Sequence, residues 1–227
     1  MKLLHMENRI ERKVVASLRL QWQRNRYLLG SAALIVACCV TVVWLAARLW
    51  HIDPIILLRD VYIVVGAEPY AGLMSNIGLL GWCVAATVWS ITVYLLHPHR
   101  ADPRYGLAIS AGVITAILLI DDGWMLHEYL LPQLTGLSEK VFLAGYALLA
   151  ITFAGYALPR MLQTDYLLAG IAAGCLAASY LIDIVLPFTP RHTLYEDVAK
   201  LSGIIFWAAY ALSVFREVAK TQRGRLA

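Results

Sequence analysis

At 227 residues the chain is long enough for a soluble core, yet 60 % of it is apolar and only 15 % charged. An ordinary soluble domain carries roughly 45–50 % and about 25 %, so the composition excludes that class in favour of one with long uncharged runs. The formal charge of +4 is gathered at the two ends, which reads as membrane topology and attraction to anionic lipid rather than as a nucleic-acid surface.

In lipid every backbone polar group must be paired internally, so apolar runs of about 20 residues are read as helices. The expected fold is all-α: a polytopic membrane helix bundle of six transmembrane helices with an N-terminal amphipathic segment. Three regions follow, 1–26 basic and cytoplasmic, 27–215 transmembrane, and 216–227 a basic cytoplasmic tail.

The opening region sets Leu3, Leu4, Ile10, Val14, Val15, Leu18 and Leu20 among Lys2, Arg9, Arg12, Lys13, Arg19, Arg24 and Arg26, the pattern of a helix lying on a membrane surface. Span one covers 27–49 and is too long for the 7–15-residue apolar stretch of a cleaved signal. From His51 to Gly72, short apolar stretches alternate with Asp53-Pro54, Arg59-Asp60 and Glu68-Pro69, as in an interfacial or re-entrant element. Span two, 73–96, ends at the breaker-rich His97-Pro98-His99-Arg100. Span three runs from Tyr105 to Leu130 and stops before Pro132; Gly136 and Ser138 lead to span four, 139–158, closed by Pro159-Arg160. Span five is 164–186; after a loop with Pro190, span six is 193–215, followed by Arg216, Lys220, Arg223 and Arg225. Both basic ends then face the cytoplasm of a bacterial-type inner membrane. Cys38, Cys39, Cys83 and Cys175 lie in apolar runs without metal or redox spacing, and are read as packing residues.

Ionisable groups inside a membrane cost roughly 2.5–3.5 kcal/mol each on insertion scales, so they mark function by default. Span three holds Asp121, Asp122, His127 and Glu128; span five holds Asp183; span six holds Glu196, Asp197 and Lys200. Counting rise from the inner ends puts Asp121, Asp183, Lys200 and Asp197 at roughly 24, 26, 22 and 27 Å, one level in the outer third. Uniform helical phase places Asp121 and Glu128 on one face and turns Asp122 and His127 elsewhere, with Gly123 as a candidate bend. The expected inward set is therefore Asp121, Glu128, Asp183, Asp197 and Lys200. Thr193 and Glu196 match a capping box, and Glu196–Lys200 is a favourable i,i+4 pair.

Carboxylates with one histidine suit acid–base chemistry or a divalent metal, although no metal-site spacing is present. The acids and histidines of the seven-helix membrane hydrolases are not matched, since the last span holds Glu196, Asp197 and Lys200 and no histidine pair; no family is assigned. Three functions follow. The first is an acid–base or metal-assisted enzyme acting on a lipid or lipid-linked molecule at the outer leaflet. The second is a non-catalytic assembly or sensory partner held by a structural polar cluster. The third is a small proton- or cation-coupled carrier, working as a homo-oligomer. Membrane lipid is the expected partner, and nucleic acid is not.

Overall fold

The computed structural model describes residues 71–185 and 190–226 continuously, together with 44–53, 65–68 and scattered positions between 23 and 42. The chain divides into two compact units, Met1–Ala71 and Gly72–Ala227. In the first unit the described part of span one, 40–42 and 44–49, is helical, and the amides of Trp50 and Ile52 close it on the Ala46 carbonyl at 3.1 and 3.2 Å. The amphipathic segment, the start of span one and most of the 51–72 element fall outside the described residues.

The second unit is all-helical among its described residues, and five of its helices are long and apolar enough to cross a membrane. They are α1 (Leu73–Leu96), α2 (Pro103–Trp124), α4 (Glu139–Met161), α5 (Tyr166–Val185) and α6 (Pro190–Leu226), with the short α3 (Leu131–Thr135) between α2 and α4. A 3₁₀ turn, His97–His99, leaves α1. Asp102 then starts α2, its side chain accepting the Arg104 N–H at 3.0 Å, while Pro103 occupies the first turn, where an N–H is not needed.

Several boundaries differ from the sequence expectation, each for a local reason. α2 ends at Trp124 and not at Leu130, because Met125 turns left-handed at φ 50°. A π-helical turn, Leu126–Leu130, follows, and Pro132 sits in the first turn of α3, where proline is tolerated, so it stops nothing. Pro159 lies inside α4, two residues short of its end, where few helical bonds remain to be lost. α6 begins at Pro190, which puts Thr193 and Glu196 within the helix and overturns the capping-box reading. It also continues through the basic residues to Leu226, beyond the expected end at 215.

α6 packs against α5 on one side and α1 on the other; α1 then meets α2, and α2 meets α4. Small residues allow the close crossings. A Cβ on Gly81 of α1 would stand 2.7 Å from Ile204 of α6, and one on Gly203 of α6 would stand 2.6 Å from the Leu176 side chain and 3.0 Å from its backbone nitrogen. Gly203→Ala is therefore expected to destabilise the protein in detergent by about 1–3 kcal/mol, the usual effect of overpacking. Gly170→Ala, with nothing within 4 Å of the added carbon, is the control. Equal melting of the two variants would show that α5 and α6 are not held this closely.

The bundle centre is aromatic. Trp89 meets Trp207 tilted and Tyr210 edge-on, at 5.9 and 5.7 Å, and Phe153 meets Trp207 at 5.9 Å. The Trp207 indole N–H donates to Thr115 at 2.9 Å, and the Tyr210 hydroxyl meets Thr164 at 2.8 Å. Exposed aromatics mark both ends: Tyr94, Tyr156 and Tyr166 at one, Trp124, Tyr129 and Tyr195 at the other. That spacing suits membrane–water boundaries, where amphipathic rings collect. The second end carries the acidic residues.

Candidate functional site

The left-handed Met125 is the local event that builds the site. Its N–H still bonds the Asp121 carbonyl, closing α2, and its left-handed conformation breaks the helical phase so that His127 meets the Asp121 carboxylate. Asp121, 5 % exposed, accepts three hydrogen bonds: the His127 backbone N–H at 3.0 Å, the His127 Nδ1–H at 2.6 Å and the Tyr146 hydroxyl at 2.8 Å. The Tyr146 ring also stands edge-on to the imidazole at 5.5 Å and 63°. A non-glycine residue in this backbone region costs about 1–3 kcal/mol, and such strain gathers at working sites.

Because a carboxylate only accepts, Asp121 assigns the proton to Nδ1 and leaves Nε2 as the exchangeable position. Nε2 points toward Glu128, whose Oε1 is 3.7 Å away. His127 lies beyond the apolar helix, and two effects act on it: burial disfavours its charge, whereas the Asp121 hydrogen bond and the charges of Asp121 and Glu128 favour it. The second effect prevails over burial and the opposing Lys200 charge, so the imidazole pKa is held above its ordinary value.

Asp122, the next residue, faces a different side of α2. It pairs with the Lys200 ammonium of α6 and accepts the Trp82 indole N–H of α1 at 3.1 Å. Three helices thus meet on one carboxylate. Asp197 joins Asp122 and Lys200 around a cavity of about 30 Å³ that Ser75, Gly78 and Ile204 also line. That is room for about two waters. Glu128 and Glu196 act on Lys200 through their charge.

Seven of the eight sequence candidates thus interact electrostatically or line one cavity, on α2, the π turn and α6. The exception is Asp183, which is exposed on α5; equal depth did not bring it to a common face. The phase argument is also corrected. Glu128 is exposed with 43 % of its side chain accessible, while His127 and Asp122, expected to turn away, make the shortest contacts. Uniform phase fails because the left-handed Met125 interrupts the helix. Gly123 is not the bend; a Cβ there would contact Leu79 of α1 at 3.7 Å. Among the described residues no three His, Cys, Asp or Glu side chains group to hold a metal ion.

Tyr146 and Trp82 were not among the candidates. Counting rise from the acidic end would have placed them at roughly 11 and 14 Å, near the level of the acids, and each carries a donor that seeks a partner when buried. Residues 33–214 match the model of a family described as a domain of unknown function (DUF8692). No curated protein and no solved structure matches the chain.

Proposed function

Since the chain belongs to that family, whose description assigns no activity, we propose from its own geometry that it is an integral membrane enzyme performing acid–base chemistry on a lipid or lipid-linked substrate at the outer face of the membrane. The observation that carries this reading is the Asp121–His127–Tyr146 arrangement held by the Met125 turn. Asp121 orients the ring and stabilises its charged form; Nε2 takes a proton from, or returns it to, a bound hydroxyl or water. Tyr146 holds the carboxylate. Trp124, Met125 and Tyr129, all exposed, flank the histidine in sequence with side chains suited to a membrane boundary and favour a substrate arriving from the lipid.

Orientation follows from charge. The far end of α6 carries Arg216, Lys220 and Arg223, which favours a cytoplasmic location for that end and an outward one for the acids, in a bacterial-type inner membrane. Reporter fusions after residues 26 and 220 are expected to register the same inner compartment; opposite signals would reverse the assignment.

The enzymatic test uses the purified chain in vesicles of total bacterial lipid extract, with lipids followed by mass spectrometry. A lipid species consumed by the wild type and untouched by His127→Gln supports the proposal. An unchanged lipid profile with both proteins overturns it. The non-catalytic reading has its own observation, the full mutual pairing of Asp122, Lys200 and Trp82 around a cavity too small for a headgroup. The carrier reading is weakened by the aromatic centre of Trp89, Phe153, Trp207 and Tyr210 beneath the acids, which offers no polar path.

A further inference from the structure

At the end of the bundle opposite the acids, the α1–α2 connection, the α4–α5 connection and α6 line a second, open cavity of about 660 Å³. This volume lies within the roughly 300–1,000 Å³ typical of small-ligand sites. His99, Arg100, Asp102, Arg104, Gln163 and Glu217 line it, and the exposed Tyr94, Tyr156 and Tyr166 belong to the same end. The cavity therefore opens where the apolar helices stop, at headgroup level.

Its charges fall into two groups. The Arg104 fork is occupied by Asp102, Nε to Oδ1 at 3.0 Å and Nη2 to Oδ2 at 2.7 Å, so that pair is neutral and fixed. Arg100 instead meets the ring nitrogen of His97 at 2.5 Å. That contact needs a neutral acceptor, so it leaves the guanidinium charge uncompensated. On α6, Glu217 enters no ion pair within 4 Å among the described residues and acts on Arg104 only at longer range. Gln163 donates its amide to the Pro159 carbonyl at 3.0 Å, which leaves its side-chain oxygen as an acceptor. Among the described residues, one cation and one anion without an ion-pair partner, with a neutral acceptor, thus line the same cavity.

We propose that this cavity binds an aminophosphate, a phosphate ester carrying a primary ammonium, as in the headgroup of an ethanolamine lipid. Arg100 takes the phosphate; Glu217 and the Gln163 oxygen take the ammonium. A purely anionic headgroup would leave Glu217 repelled, and a quaternary ammonium could not donate hydrogen bonds to it. The inference is independent of the chemistry proposed at the acidic end.

The test is native mass spectrometry of the full chain in detergent. It is titrated with dihexanoyl phosphatidylethanolamine, the corresponding choline and glycerol lipids, free phosphoethanolamine and inorganic phosphate. The ethanolamine lipid is expected to bind at least about tenfold more tightly than the other two lipids, the scale of one hydrogen bond to a charged group. Arg100→Gln is expected to weaken all three lipids, and Glu217→Gln to abolish the preference for ethanolamine over choline. Arg100 is exposed, so its variant keeps the fold, and unchanged melting verifies this for both. Free phosphoethanolamine binding as tightly as the lipid supports the aminophosphate site and assigns it to a soluble ligand. Equal affinity for the three lipids, equal binding of inorganic phosphate, or indifference to both substitutions overturns the proposal.

Discussion

Lys200→Met is expected to melt well below the wild-type chain in detergent, with a loss of about 3 kcal/mol. Breaking a buried ion pair by removing one partner costs about 3–5 kcal/mol, because the other charge stays behind. Here the abandoned group is Asp122, 11 % exposed, whereas the Lys200 side chain is 34 % exposed; partial solvation of the pair sets the effect at the lower bound. The Trp82 N–H cannot by itself balance a carboxylate. Asp122→Asn/Lys200→Met is expected to recover much of the loss, since an amide accepts the indole N–H and leaves no charge. A double-mutant cycle on melting curves measures the coupling, of order 0.5–3 kcal/mol for groups in contact. Additive losses would mean that the pair does not hold α2 to α6.

His127→Gln is expected to lower lipid turnover by about 10²–10⁴, the usual contribution of a positioned acid–base group, while melting changes by no more than about 1 kcal/mol. The stability expectation is small because the backbone N–H of residue 127 still bonds Asp121, and a glutamine amide can approach the same carboxylate. Asp121→Asn is a less clean probe. Its carboxylate closes the π turn and accepts the Tyr146 hydroxyl, so its replacement weakens fold and chemistry together. Asp183→Asn, at an exposed position on α5, is expected to change neither. Turnover that survives in His127→Gln, with matched protein amounts in the vesicles, would remove the histidine from the mechanism.

The candidate residues were legible for one physical reason: a charge within an apolar run is expensive, so it stands out whatever the fold. Depth along a regular helix was legible too, because rise per residue is nearly constant, and it brought Asp121, Asp197 and Lys200 to one level. Azimuth was not. A single left-handed residue, Met125, breaks the helical phase after α2. It swaps the roles assigned to Glu128 and His127, and methionine carries no signal for that conformation as glycine would. Which helices adjoin is likewise outside local periodicity. Asp183 has the right depth, yet its side chain is exposed on α5.

Helical structure, helices long enough for a membrane, and acids gathered toward one end can all be read from single segments of the chain. Apolar length, uncharged composition and constant rise are properties of single segments, independent of their neighbours. How Asp121 and Asp122 divide depends instead on contacts between helices. One goes to the histidine that follows the left-handed Met125, with Tyr146 of α4 as a further partner. The other goes to Lys200 of α6 and Trp82 of α1. Consecutive residues on a helix point about 100° apart, so two adjacent carboxylates must find partners on different neighbours, and those neighbours are chosen by helix packing.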